Sequence, residues 1–390
     1  MLNRIAEKKA KEIVKSFPVL SVTGPRQSGK TTLIKKCFPE YKYYNLEDPN
    51  TRNLIENNPK QFVNPDKPYV IFDEVQKFPD LLSYIQVTVD ELNKPGVFII
   101  SGSENLLLSE KVSQSLSGRV GIINLLPFSI AELKAAEKLD KNPFDQIQKG
   151  FYPRIYDQDI PSADFYGSYL ATYVERDVRQ IKNIGDISQF QRFMQLVAGR
   201  VGQLFNASSI ANEVGVDSKT ITSWFNILEA SYITFRLVPY FKNFGKRIVK
   251  SPKIYFYDVG LLAYLLGINN QSEMDIHFAR GALFENLIVA EAKKHIFNNS
   301  LNIRSYFWRD NNGNEIDLLL DKGNDIDTVE IKASQGYKSG FSKGFVYWDN
   351  LNTKTKGKKS VVYTGEIETK TKDYNLVNWK NVNKIFAQNT

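Results

Sequence analysis

From Ser16 to about Leu126 the chain alternates short runs of β-branched and aromatic residues with stretches of helical periodicity. The runs are FPVLSVT from Phe17, YKYYNL from Tyr41, PYVIFDE from Pro68, GVFIISG from Gly96 and RVGIINLL from Arg119. Their polar residues fall mainly at the ends, the pattern of strands buried on both faces, which predicts a parallel sheet covered by helices. An α/β nucleotide-binding layer is the expected architecture. After PFSIAEL the pattern becomes mostly helical. The segment NASSIANEVGVDSKTITSWFNILEASYITFRLVPY then reads as a short helix, a turn around Gly215, a second helix from Ser218 and an apolar hairpin. That order predicts a winged-helix domain. From about Ser251 a third α/β region begins, with a helix around Glu285 and strands around Asp317 and Glu330. The expected division is a nucleotide-binding domain over 1–135, a helical linker or lid over 136–187, a winged helix over 188–250 and a C-terminal domain over 251–390.

Composition narrows the class. Among 390 residues, 42% are hydrophobic and 24% charged, which excludes collagen-like, coiled-coil and wholly disordered chains. The net charge of +8 permits a polyanionic partner without requiring one. Charge is unevenly placed: Ser188–Lys250 carries eight Lys or Arg (Arg192, Arg200, Lys219, Arg236, Lys242, Lys246, Arg247, Lys250) against three acids (Glu213, Asp217, Glu229). Cys37 alone forms no intramolecular disulfide, and with two His it leaves no zinc cluster, so a reducing cytoplasm is the expected setting and any metal is held by oxygen. The longest apolar run, Val259–Ile268, is too short to span a bilayer, so no membrane association is expected.

The chemistry begins at Gly24-Pro25-Arg26-Gln27-Ser28-Gly29-Lys30-Thr31, followed by Thr32, which matches G-x-x-x-x-G-K-[ST] between an apolar strand and an amphipathic helix. Its glycines let backbone N–H groups turn toward phosphates, and the following helix points its positive end at them. Lys30 reaches the β/γ-phosphates in this reading, and the Thr31 hydroxyl is a ligand for Mg²⁺. YVIFDE supplies the companion: Asp73 as an indirect holder of Mg²⁺, acting through the ion's own ligands, and Glu74 as the base that orients or deprotonates the attacking water. ATP and Mg²⁺ are the expected cofactors. Ser101 and Ser103, one strand over, are candidates for contact with the γ-phosphate or its water, a strand-ending turn being the alternative. Arg119 is a candidate cation for the γ-phosphate, in cis or from a neighbouring subunit of a homo-oligomer; the alternative is a surface loop arginine.

In the winged-helix region Lys219, Thr220 and Ser223 lie where a recognition helix presents side chains to a major groove, while Trp224, Phe225, Ile227 and Leu228 read as core. The alternatives are DNA contact and packing against a protein partner. Downstream, Glu285 lies in GALFENLIVAEAKKH, Asp317 in GNEIDLLLD, and Glu330 and Lys332 in TVEIKAS, where strand alternation points both the same way. Asp317 and Glu330 are suited to hold Mg²⁺, Lys332 to orient a water for phosphodiester attack, and Glu285 to complete the ligand set. Taken singly, each has an ordinary structural explanation.

With GPRQSGKTT, YVIFDEVQ, ISGSENLLL, SGRV followed by LLPFSIAEL, YVERDV at Tyr173–Val178, GALFENLIVAE, and YFWRDNNGNEIDLLL with EIKAS, the chain resembles the AAA-type ATPases of bacteria and archaea that couple a P-loop domain to DUF4143. The resemblance spans nearly the whole length. It implies an ASCE-type P-loop fold, a winged helix and a C-terminal fold like that of PD-(D/E)XK nucleases, with Glu285, Asp317, Glu330 and Lys332 at the nuclease motif. Ser101 stands where family members often carry Thr. Arg176 in YVERDV is left with two readings, reaching a neighbouring nucleotide or pairing with Glu175 or Asp177. The function expected is a Mg²⁺-dependent ATPase that reorients a winged helix and a nuclease-like module on DNA. The alternative is a nucleotide-switched protein-interaction scaffold whose nuclease-like fold does not cleave.

Overall fold

The computed structural model describes residues 2–103, 115–173, 186–240, 250–351 and 357–386. Arg176 and most of the YVERDV stretch, together with Lys242, Lys246 and Arg247, lie outside the described residues. The chain divides into two compact units. The first is Met1–Phe128 with Ala230–Tyr232 and Phe297–Ser300; the second is the remainder.

In the first unit all five apolar runs form strands: β1 (Val19–Thr23), β2 (Lys42–Asn45), β3 (Val70–Asp73), β4 (Phe98–Gly102) and β5 (Val120–Asn124). They pair in parallel in the order β2-β3-β4-β1-β5. Alternation explains the two-sided core. Val19, Phe72, Phe98 and Ile100 join Leu81, Ile85 and Val89 of helix Leu81–Leu92 on one face. Leu20, Val22, Ile71, Ile99 and Ile123 join Ala6, Ala10, Leu33 and Ile34 on the other. Successive side chains of each strand point to opposite faces, so a run without interior polar residues fits only a strand covered twice.

The second unit carries an eight-stranded mixed sheet in the order β12-β13-β11-β10-β9-β8-β6-β7. Its strands are β6 (Thr234–Pro239), β7 (Lys253–Phe256), β8 (Arg304–Arg309), β9 (Glu315–Asp321), β10 (Ile326–Lys332), β11 (Lys359–Tyr363), β12 (Thr369–Lys370) and β13 (Asn375–Asn378). Of the apolar hairpin expected before Tyr240 the structure shows one strand, β6; its antiparallel partner β7 comes from beyond Ser251, and β6 also pairs in parallel with β8, so these strands extend the C-terminal sheet. β6, from the segment expected as a winged helix, therefore shares one sheet with strands of the C-terminal region. The second compact unit begins at Ser129. Ser129 caps helix Ile130–Ala135 with a reciprocal box to Glu132, and the buried Glu291 accepts from the Ile130 N–H at 2.8 Å, which ties that helix to the second unit.

The helix pair predicted around Gly215 is present as Ala207–Val214 and Ser218–Ala230. Asn206 caps the first, Gly215 ends it at φ 84°, and Asp217 accepts from the Thr220 N–H to start the second. Trp224, Phe225, Ile227 and Leu228 are buried as expected. Helix Arg280–Asn298 is fixed to β7 by Asn286, whose amide accepts from the Phe256 N–H at 2.7 Å and donates to the Phe256 carbonyl at 2.9 Å. No helix of the described residues is long and apolar enough to cross a membrane.

Candidate functional site

The nucleotide site is built where β1 ends. Gly24 follows Thr23 at φ 149°, and a Cβ there would lie 2.1 Å from the Leu125 carbonyl oxygen, so only glycine lets the loop leave the sheet beside the end of β5. Gln27 and Gly29 take positive φ, and helix Lys30–Cys37 starts directly from Gly29. The loop thus turns back on itself and presents a helix N-terminus, the geometry that receives phosphates. Lys30 is buried and donates to the carbonyls of its own loop, Gly24 at 3.0 Å and Pro25 at 2.9 Å, which places its ammonium inside the turn. Ser28 Oγ is buried with no partner. Pro25 is buried, Arg26 is half-buried and Gln27 is exposed at the loop's outer edge, and Thr32 is exposed on the first helical turn.

Asp73 ends β3 and is buried. Its Oδ2 accepts from Thr31 Oγ1 at 2.7 Å, which joins the two residues predicted to hold Mg²⁺ across the span from residue 31 to 73. The donor set is hydroxyl and carboxylate oxygen, the hard ligands that suit this ion. Ser101, on the intervening strand β4, donates to Asp73 Oδ1. Glu74 follows at φ 57°, and its carboxylate accepts from Ser103 Oγ at 3.1 Å and from the Gln76 amide.

Sequence reasoning missed three residues of this group. Tyr43 of β2 donates to Asp73 Oδ2 at 2.6 Å, and burial, followed by that hydrogen bond, pushes its hydroxyl pKa up. Arg4 is buried, donates to the Ser28 carbonyl at 2.8 Å and to the Leu126 carbonyl at 2.6 Å, and lies over the Phe128 ring. Gln76 is the third. Conversely, Arg119 is not brought to the site. Its carbonyl accepts from Val19 N–H at the beginning of β1, the opposite end of a parallel strand from Gly24, and its guanidinium pairs with Asp90.

In the second unit the structure groups the four C-terminal residues in two overlapping sets. Lys332 Nζ lies 3.2 Å from Asp317 Oδ2 and 2.5 Å from Glu330 Oε2. Burial, then the nearby Asp317, raises the Glu330 carboxyl to about 8. Burial alone would lower the Lys332 ammonium, but Asp317 and Glu330 outweigh it and raise its pKa. Glu285 groups with Asp317 and with Glu315, which the sequence reading did not include, their carboxylate oxygens all within 4.8 Å of one another. Lys253 of β7, its side chain 3% exposed, bridges Glu285 at 3.0 Å and Glu315. Tyr255 donates to Glu285 at 2.5 Å. Glu285 is raised by burial, against the pull of Lys253.

A parallel sheet with a glycine turn at the end of its β1 strand, a lysine inside that turn and a threonine joined to a strand-end aspartate define a P-loop nucleotide-binding protein. Residues 16–134 match the AAA domain family, 141–272 a domain of unknown function (DUF8612) and 280–382 another (DUF4143). An uncharacterised protein of Mycobacterium tuberculosis is 30% identical over 321 residues, spanning 81% of this chain and 70% of the relative. One of Methanocaldococcus jannaschii is 22% identical over 352 residues, spanning 80% and 76%. Among solved structures, a Walker-type ATPase of Pyrococcus abyssi aligns with a TM-score of 0.46 and 14% identity, covering 67% of this chain and 94% of that one. The chain belongs to the AAA-type P-loop ATPase family in which an AAA domain is joined to DUF4143.

Proposed function

We propose that this protein is a Mg²⁺-dependent ATPase whose hydrolysis cycle drives a winged-helix and nuclease-like unit acting on DNA. The observation that carries the ATPase reading is the Thr31–Asp73 hydrogen bond of 2.7 Å, with Glu74 as the next residue after Asp73. In this mechanism the turn from Gly24 to Gly29 and the helix N-terminus bind the phosphates, and Lys30 moves from its loop carbonyls to the anion. Thr31 and Asp73 hold Mg²⁺, which when bound neutralises charge on the phosphate oxygens. Glu74 accepts the proton of the attacking water after its carboxylate leaves Ser103 and Gln76; Ser101 fixes Asp73 meanwhile. Lys30→Ala is expected to abolish ATP binding and turnover. Glu74→Gln is expected to retain binding and lower turnover by 10²-fold or more, on the order of a lost general base. Hydrolysis by Glu74→Gln at the wild-type rate would remove Glu74 from the mechanism.

DNA is favoured as the partner by the basic Ser188–Lys250 segment, and cleavage by Asp317, Glu330 and Lys332 lying together. One observation supports the scaffold reading instead: Lys253 already bridges Glu285 and Glu315, so part of the carboxylate charge is satisfied from within. Lys332→Ala distinguishes the two. Under the cleavage reading it removes Mg²⁺-dependent nicking of plasmid DNA and leaves ATP turnover unchanged. Under the scaffold reading the wild-type protein nicks no DNA.

A further inference from the structure

Asp73 is held by hydroxyls from three different elements, and one of them belongs neither to the phosphate loop nor to the strand end at Ser101–Ser103. Thr31 comes from the helix after the loop and Ser101 from β4, whereas Tyr43 comes from β2 at the edge of the sheet. Tyr43 sits opposite Ile71 in the β2–β3 register, so its side chain falls on the face covered by helix Lys30–Cys37. Its hydroxyl reaches Asp73 Oδ2 at 2.6 Å, the same oxygen that Thr31 uses. Lys35 of that helix lies 3.6 Å from the centre of the Tyr43 ring, which fixes the ring from its other side.

A carboxylate that serves a bound cation needs a fixed orientation, because a small hard ion tolerates little angular error. Thr31 can ligate the ion through a lone pair while its O–H still donates to Asp73, but a single bond to Oδ2 leaves the carboxylate free to turn about it, and the bonds from Tyr43 and Ser101 remove that freedom. We propose that Tyr43 is the positioning residue of the magnesium site: its hydroxyl, with Ser101 on the other oxygen, holds Asp73 in place independently of Thr31. This inference rests on the ATPase reading and adds to it a residue outside the loop and strand-end motifs. It also predicts selectivity in the effect, because phosphate binding by the loop backbone and Lys30 does not pass through Asp73.

The test is Tyr43→Phe, which keeps the ring, its packing and its contact with Lys35, and removes one oxygen. Binding of a fluorescent N-methylanthraniloyl-ATP is titrated with and without Mg²⁺ for wild type, Tyr43→Phe and Lys30→Ala, alongside thermal unfolding. The expected result is a half-saturating Mg²⁺ concentration raised about fivefold, the equivalent of one lost hydrogen bond, with binding in the absence of Mg²⁺ unchanged. A Tyr43→Phe protein that melts earlier yet keeps the wild-type Mg²⁺ dependence would have lost only a structural bond, and the proposal would be overturned. Binding by Lys30→Ala equal to wild type would instead overturn the phosphate-loop reading on which it rests.

Discussion

The two carboxylate sites of this chain are held by opposite kinds of partner. At the end of β3, Asp73 is held by the neutral hydroxyls of Thr31, Tyr43 and Ser101, and Glu74 by those of Ser103 and the Gln76 amide. Hydroxyl and amide donors fix a carboxylate without bringing a compensating charge to it. In the second unit the acids Glu285, Glu315, Asp317 and Glu330 face the ammonium groups of Lys253 and Lys332. There the protein supplies cations itself. No ammonium group is among these donors to Asp73 and Glu74, whereas two lysines partly compensate the four acids of the second site, so whatever binds there must reorganise an existing charge network.

The sharpest way to break this contrast is to remove the buried cation. Lys253→Met fills a similar volume but removes the buried ammonium between Glu285 and Glu315, leaving them only the Tyr255 hydroxyl and the half-exposed Arg309, and breaking a buried pair from one side costs about 3–5 kcal/mol. Chemical denaturation should show a loss of that order, with the ATP-binding function of the first unit retained. Added Mg²⁺ should restore part of the lost stability, because a divalent ion can take up the charge that Lys253 neutralised. Wild-type stability in Lys253→Met would show that the lysine bridge contributes nothing, and the contrast between the sites would fail.

How much of this could be read from the chain itself follows from where the contacts run. The five strands, the loop from Gly24 to Thr31 and the Asp73–Glu74 pair were legible because each is a local pattern whose residues act within a few positions of one another. Glu330 and Lys332 were legible for the same reason, two residues apart on one strand. Tyr43, Arg4 and Glu315 were not, because their roles come from pairings between distant segments that no local spacing encodes. Lys253 did leave a signal, a lone charge at the head of the apolar run KIYF, where a buried cation needs an acid partner. That Arg119 does not reach the loop of its own chain follows from a rule the sequence contained: in a parallel sheet the residue before a strand lies at the edge opposite the loop that follows a neighbouring strand. The extension of the C-terminal sheet by β6 and β7 had no such signal, since an apolar hairpin pairs equally well alone or at the edge of a larger sheet.

The smaller effect, and the finer test, is the pH dependence of Glu330. Its carboxyl is raised from 4.5 to about 8, first by burial and then by Asp317. A group raised in the folded state binds its proton more tightly there than in the unfolded chain, so its stabilisation is complete below about 4.5 and is lost as pH rises toward 8. For one such proton the slope reaches at most about 1.4 kcal/mol per pH unit. Glu285 is raised by burial as well, so the whole-protein curve contains more than one group. Glu330→Gln isolates the term, because the amide resembles the protonated carboxyl and does not titrate. The variant and the wild type should have similar stability at the acid end of the window, and the wild type should fall progressively below the variant up to about pH 8. Parallel stability curves across the window would mean that Glu330 is ionised throughout, with Lys332 holding its charge, and the second site would then resemble the first more closely than its geometry indicates.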